Sequence, residues 1–356
     1  MNLIQAKSQS ECKEWDEYID TNPKGNHLIL AHWLDSFKSY GFDKEIFYYK
    51  ENNKIVGGFG AVIAKFSSFK FYIIPYGPVV NEGNEHTINE IVNFAQDRAK
   101  SSKSCYFQVS IPKSNSEELH SYAYKSSLTL DNNYQLGKLF KYVYAADGVN
   151  FINLRGFSFE NAEDLLMSFS VRTRRDIRIG IKNITTVKKA ENNEQIKEAY
   201  SLCELNAQQN NYSVRQWKSI GKTLVDLVTA DKGTFLMAYS GDTLVGSMFF
   251  VKSGNHLTYM FGGTNKEFSN IYPGYALQWE AIKLSLSLGY KWYNISLGGS
   301  EGVKKFKSKF NAIPIYYHEA HYHIVLNKFK FNLFLFLEKK IKPYKSTIAK
   351  WLSSIK

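Results

Sequence analysis

Cysteine is scarce in this chain: three in 356 residues, Cys12, Cys105 and Cys203, odd in number and far apart. That spacing offers neither a disulfide framework nor a zinc-ligand set, and it fits a reducing compartment. The opening MNLIQAKSQS lacks the apolar core of a secretory signal. The longest apolar run near the end, Phe331 to Leu337, is broken by Asn332 and is too short to cross a bilayer. A glycine-rich nucleotide fingerprint, a Ser-His-Asp or Cys-His arrangement and a long heptad run are all missing. His318-Glu319-Ala320-His321-Tyr322-His323 comes near a zinc-hydrolase motif, but position 322 is tyrosine and no third ligand is indicated. No metal is therefore expected. Carboxylates are the minority charge, 33 against 45 lysines and arginines, for a net +12. Unless the host's proteins are simply basic, that surplus favours polyanionic partners: phosphorylated substrates, RNA or anionic lipid. With 44% hydrophobic residues the chain is long enough for two globular domains. Their expected place is the cytosol, or the periphery of the inner face of the cell membrane.

What is present is a pattern stated twice. Strands are expected at Ile46–Tyr49, Ile55–Phe66 and Phe69–Pro75, with Asn52-Asn53 as a turn and Gly57-Gly58 suggesting a bulge. A helix follows, with a capping box at Thr87 and Glu90 and one face made of Ile88, Ile91, Val92, Ala95 and Ala99. Cys105–Ile111 and Leu139–Ala145 read as further strands. The second half repeats the order: strands Phe235–Tyr239, Leu244–Val251 and Leu257–Phe261, then a helix, then Trp292–Leu297. Asn53-Lys54-Ile55-Val56-Gly57-Gly58 matches Asp242-Thr243-Leu244-Val245-Gly246-Ser247, and Tyr106–Ile111 matches Trp292–Leu297. An internal duplication is expected. It gives an α/β protein of two tandem domains, each a mixed, largely antiparallel sheet flanked by helices. The boundaries fall at 1–150 and 151–318, with 319–356 as a returning strand and a basic, aromatic C-terminal helix. Ser213 and Gln216 read as a second capping box, for a helix carrying Trp217, Ile220, Leu224 and Leu227. Arg172, Arg174 and Arg175 form either a solvated face or an RNA site. In the last helix Ile341, Tyr344, Ile348, Trp351 and Ile355 share a face opposite lysines, which suits either the protein's own body or an anionic membrane surface.

The stretch Ser269–Phe310 organises the rest. Pro273 and Gly274 open a helix that Gly289 ends. A strand, a Gly/Pro loop and a helix start in succession can hold an anion on free backbone N–H groups. Lys304, Lys305, Lys307 and Lys309 bring positive charge back beside that mouth.

The run Gly289-Tyr290-Lys291-Trp292-Tyr293-Asn294, the pair Gly298-Gly299, and Phe306-Lys307 followed by Phe310 resemble the C-terminal signature of the Fem family. Trp33 with Lys38 and Gly41, Tyr76-Gly77-Pro78-Val79, Ser170–Lys182 and Leu257–Asn265 resemble that family's other motifs in order. Its members are peptidoglycan-bridge aminoacyltransferases built from two GNAT (N-acetyltransferase-type) domains. This sequence departs from the pattern at Tyr76, Ile111 and Asn294, where arginine, an acid and aspartate are usual. The resemblance implies an acyltransferase that forms an amide on an amine of a cell-envelope precursor, nucleotide- or lipid-linked, with no tightly bound cofactor. The donor stays open between aminoacyl-tRNA and acyl-CoA, since Asn270–Gly274 does not read as an acetyl-CoA pyrophosphate loop. It implies roles as well. Lys307 would offset charge at the donor ester, and Tyr259 would position the amine unless it simply packs in the core. Lys38, Arg215, Tyr212 and Phe306 would hold the acceptor, with Lys38 and Arg215 at a diphosphate. Pro273, Gly274, Tyr275, Lys304 and Lys305 would bind the donor. A rival acyl-CoA-dependent enzyme would acylate an amino sugar of an envelope polysaccharide. A rival outside catalysis is a basic RNA- or membrane-binding module on the same scaffold.

Overall fold

The start of the chain's first helix is explained by its neighbours. In the computed structural model, which describes residues 2–131 and 134–341, α1 (Gln9–Thr21) begins at a reciprocal capping box between Ser8 and Glu11. It buries Trp15, whose indole N–H donates to Ile29 O at 2.7 Å. α2 (Ala31–Asp35) runs into a 3-10 turn, Ser36–Tyr40, stopped at left-handed Gly41. The first sheet follows: β1 (Asp43–Glu51), β2 (Lys54–Phe66) and β3 (Phe69–Ile74) form an antiparallel meander. α3 (Ile88–Ser101) crosses over, and β4 (Tyr106–Ser110) returns parallel to β3.

β5 (Gly148–Asn153) opens the second sheet, followed by α4 (Ala162–Ser168), α5 (Val171–Asn183) and β6 (Thr186–Lys189). After α6 (Asn193–Gln209) and α7 (Trp217–Thr229) comes a second meander, β7 (Gly233–Ser240), β8 (Thr243–Ser253) and β9 (His256–Thr264). α8 (Pro273–Ser287) crosses over and β10 (Trp292–Asn294) returns parallel to β9. α9 (Glu301–Ser308) and β11 (Ile313–Tyr316) complete this half. β12 (His321–Val325) then goes back to the first sheet beside β4, and α10 (Lys328–Ile341) ends the described chain.

The duplication holds to single residues. In the first hairpin Val56 is the extra residue of a bulge, between the pairs Tyr49↔Gly57 and Lys50↔Ile55. In the second, the matching Val245 is the extra residue between Ala238↔Gly246 and Tyr239↔Leu244. The matched Tyr106 and Trp292 both lie on the strand that returns parallel after the crossover helix.

Four expectations need correction. Leu139–Ala145 is not a strand, although Phe140, Val143 and Ala145 are buried. Phe140 stacks on Phe71 at 4.4 Å and Leu139 N donates to the Tyr106 hydroxyl, while the place beside β4 is taken by β12. Thr87 does not cap α3 with its side chain; its hydroxyl donates to Asn84 O, continuing a 3-10 turn into the helix. Ser213 and Gln216 form no capping box for α7 either; its first N–H, that of Trp217, donates instead to the Glu204 carboxylate at 3.1 Å. The strand expected over Trp292–Leu297 stops at Asn294, because Ser296 turns the chain with φ +63°.

The apolar residues gather into cores on both sides of each sheet. One belongs to β1–β4 with α3, and another to β7–β10 with α4, α5 and α8. The largest joins the halves, running from Trp15, Ile29 and Leu34 through Ile196 and Leu224 to Phe235 and Phe249. α6 and α7 cover one face of the second sheet, and α7 also packs on α2, so the halves are welded rather than merely linked. At the seam Gly254 N donates to Ile19 O at 3.1 Å and Lys232 pairs with Asp20 at 2.7 Å. Gly254 has φ +62°, and a Cβ there would sit 2.3 Å from Gly25 O, so only glycine admits this approach.

Candidate functional site

The site begins with a strand pair that comes apart. β9 pairs with β8 over eight register pairs, but with β10 over only two, Leu257↔Tyr293 and Thr258↔Asn294. Met260 is the extra residue of a bulge in β9 just beyond that point, and β10 leaves the sheet after Asn294. A bulge bends and twists its strand, so the two parallel strands diverge into a wedge.

Lys307 fills it. The residue lies on α9, is 2% exposed, and its Nζ donates to Ser296 Oγ at 2.7 Å, Ser296 O at 3.1 Å and Gly298 O at 2.7 Å. Three acceptors satisfy the three donors of an ammonium group. The same Nζ stands 5.4 Å over the Tyr259 ring, on the other side of the wedge. Burial pushes the Lys307 pKa down, from the ordinary 10.5 to about 8. Burial also raises the Tyr259 phenol well above its usual value, so it is a protonated donor at neutral pH. A Cβ at Gly262 would lie 3.1 Å from the Tyr259 hydroxyl, which places that hydroxyl against the β9 backbone.

Beside the wedge is the start of α8, preceded by Tyr272 in the left-handed conformation. Tyr275 meets Phe306 edge-on at 5.0 Å, and its hydroxyl accepts from Lys309 Nζ at 2.6 Å. Gly274 faces Phe306 as well, since a Cβ there would lie 3.7 Å from that ring. Pro273, Gly274, Tyr275, Phe306, Lys307 and Tyr259 thus form one continuous assembly. Lys304 and Lys305 do not join it. Both lie on the exposed side of α9, Lys304 paired with Glu301 at 2.9 Å.

The FemAB family model matches residues 230–339, which contain every member of that assembly. Across the whole chain the fold is similar to the crystal structure of FemX, with a TM-score of 0.73 and 14% identity, over 94% of this chain and 99% of that one. A conserved protein of unknown function from Bacteroides thetaiotaomicron aligns with a TM-score of 0.55 and 12% identity, over 88% and 95% of the two chains. The fold is that of the Fem-type acyltransferases. No curated protein matches the sequence.

Within this Fem-type fold the remaining candidates form a second group. Arg215, just before α7, donates to Ser36 Oγ at 3.0 Å, Ser36 O at 2.5 Å and Ser39 Oγ at 2.9 Å, and stands 4.7 Å over the Tyr40 ring. Lys38 lies on the same 3-10 turn and pairs with Asp35 at 2.6 Å. The structure therefore brings Lys38 and Arg215 to one segment, with the Arg215 guanidinium clamping it from the other half. Tyr200, whose hydroxyl donates to Arg215 O, packs edge-on against Phe261 at 5.6 Å and so connects this group to β9. Tyr212 is half-exposed and accepts from Asn206 Nδ2 at 2.8 Å.

Ser296 and Asn150 line the candidate site without having been part of any motif, and Asn294, the last residue of the run Gly289–Asn294, joins them. The buried Asn294 accepts from Asn150 N at 3.1 Å and Ser296 N at 3.0 Å, and Asn150 Nδ2 donates to Ser296 O. Together they hold the loop that receives Lys307. Asn294 was visible as a departure from the family pattern; nothing in the sequence distinguishes Ser296. The other basic and histidine clusters are occupied locally. Arg174 donates to Met167 O and Phe169 O, Arg175 pairs with Asp176, and Arg178 pairs with Glu163. His321 lies between Ser110 and Asp147, and His323 bonds Gly137 O. Among the described residues no group of three His, Cys, Asp or Glu could hold a metal, and no helix is long and apolar enough to cross a membrane.

Proposed function

We propose that this chain transfers an aminoacyl group from aminoacyl-tRNA to an amine on a peptidoglycan precursor, at the wedge between β9 and β10. The observation that carries the reading is the buried Lys307 ammonium, held between the Ser296–Gly298 loop and the Tyr259 ring. In such a transfer the amine attacks the ester carbonyl, the new C–N bond forms, and a tetrahedral oxyanion develops. A cation fixed in a water-poor site stabilises that charge without reorganising. Collapse breaks the ester C–O bond, and the amine's proton ends on the ribose hydroxyl that leaves. The Tyr259 hydroxyl orients the amine by accepting one of its N–H groups, which leaves the amine lone pair free to attack. The start of α8, with Tyr275 and Phe306, faces the acceptor end of the donor. Lys38 and Arg215 stand at the acceptor's diphosphate, with Tyr212 as a further contact to the acceptor. The precursor is nucleotide- or lipid-linked, and the reaction belongs to the cytoplasmic face of the cell membrane.

Mass spectrometry of UDP-linked precursors tests this. Incubation with aminoacyl-tRNA adds one aminoacyl mass, and Lys307→Ala slows the addition about 10²–10³-fold. Modification by acyl-CoA in RNA-free mixtures would replace the tRNA donor by a thioester. Binding of RNA without turnover on any donor would leave a non-catalytic module. The expected membrane-contact face Ile341–Ile355 lies, apart from the helix position of Ile341, outside the described residues.

A further inference from the structure

We propose that the outward face of α10 docks on an anionic lipid surface. The helix is fastened on one side only. Phe331 is buried and stacked on Tyr106 at 4.9 Å, and Phe334 is buried edge-on to Phe71 at 4.6 Å. On the opposite side Phe329 is 78% exposed and Phe336 57% exposed, with Leu333 and Leu337 exposed beside them. Spacings of four, three and one put all four on a single helical face. An aqueous surface gains nothing from four large apolar side chains side by side.

The charges around that face point to the occupant. Lys328, Lys330, Lys339 and Lys340 border it, and Lys340 Nζ lies 5.8 Å over the Phe336 ring. The helix has one carboxylate, Glu338, and it accepts from the Tyr142 hydroxyl at 2.7 Å on the packed side. An apolar centre with a lysine border is how helices lie in a lipid interface, the lysine stems reaching along the apolar surface to the headgroups. The sequence beyond continues the same bias, with four lysines and no acidic side chain in residues 342–356. A second copy of the chain fits worse, because a two-fold contact through this face would set lysines against lysines. The inference stands apart from the transfer reaction, and its test needs neither donor nor acceptor.

The full chain is sedimented with vesicles of phosphatidylcholine alone, and of phosphatidylcholine with phosphatidylglycerol, at low and high salt. Pelleting with the anionic vesicles, weakened by salt, is expected. The double variant Phe329→Ser/Phe336→Ser should partition about tenfold less or weaker still, with an unchanged thermal unfolding curve. Failure of the unaltered chain to bind anionic vesicles would overturn the proposal. So would a double variant that binds as well as the unaltered chain while Trp351→Ser does not, which would assign the contact to the tail. A dimer that the double variant dissolves, with no vesicle binding, would assign the face to a second copy and overturn it equally.

Discussion

The two halves share a unit and differ at one place in it. In the first, the parallel pair β3–β4 runs for four register pairs, Phe71↔Tyr106 to Ile74↔Val109. The chain beyond is then sealed: Gly77 N donates to Ser110 O at 2.8 Å, Val80 N donates to the Tyr124 hydroxyl at 3.0 Å, and that hydroxyl donates to Pro78 O. In the second, the matching pair stops after two, and the gap is filled not by backbone but by the head group of Lys307. A sealed sheet offers no unpaired edge to a substrate, whereas a splayed one can exchange a side chain for a reacting group. The same fold thus yields one half that supports and one that opens.

The largest effect that would break this contrast concerns Lys307. Lys307→Ala should lower aminoacyl transfer about 10²–10³-fold, as loss of an oxyanion-stabilising group does, while circular dichroism keeps its folded form. Full activity in that variant would remove the wedge from the chemistry. Next is the seam. Gly254→Val should cost about 3 kcal/mol in urea unfolding, because the added atoms meet Gly25 O and the backbone keeps φ +62°. The same change at Gly241, where a Cβ meets nothing within 4 Å, should cost only the backbone strain of about 1 kcal/mol. On the sealed side, Tyr124→Phe should destabilise by about 1–3 kcal/mol, leaving Val80 N–H and Pro78 O without their partner, with transfer almost unchanged. A large loss of transfer in Tyr124→Phe would mean that the first half also takes part.

The last effect is a pH tilt. Below pH 8 Lys307 is protonated in both the folded and the unfolded chain. Between about 8 and 10.5 the unfolded chain holds a proton that the folded one has released, so stability should rise with pH there. The gain is at most about 1.4 kcal/mol per pH unit, and Lys307→Met should remove it from the urea-unfolding series. No difference between the two proteins from pH 8 to 10 would show that the amine keeps its charge in the wedge.

Much of this was legible residue by residue. The repeated Asn53–Gly58 and Asp242–Ser247 hexamers marked both hairpins, and even their bulged valines correspond. Phe306-Lys307 and the Pro273-Gly274 turn marked one face of the wedge. Other features were illegible because they depend on contacts made far along the chain. Leu139–Ala145 has the composition of a strand, but Phe140 is drawn into an aromatic cluster with Phe71 and Phe334, and β12 takes the sheet edge. Thr87 and Ser213 had capping spacing, yet the Thr87 hydroxyl is used on Asn84 O and the Glu204 carboxylate takes the first N–H of α7. The four lysines around α9 looked alike in sequence, and only the helix's orientation separates the buried Lys307 from Lys304 and Lys305 on the surface.

What the sequence determined by itself was local and periodic: two meander–helix–strand units, their turns, and the apolar faces that must be covered. Hydrophobic period and turn chemistry act within a few residues, so they can be read without coordinates. Tertiary structure alone decided that α6 and α7 would join the halves into a shared core and that β12 would return to the first sheet. It alone decided, too, that Lys307 would be buried against Ser296 and Gly298 rather than solvated. Burial, and the charge state that follows from it, belongs to the whole set of neighbours around a side chain.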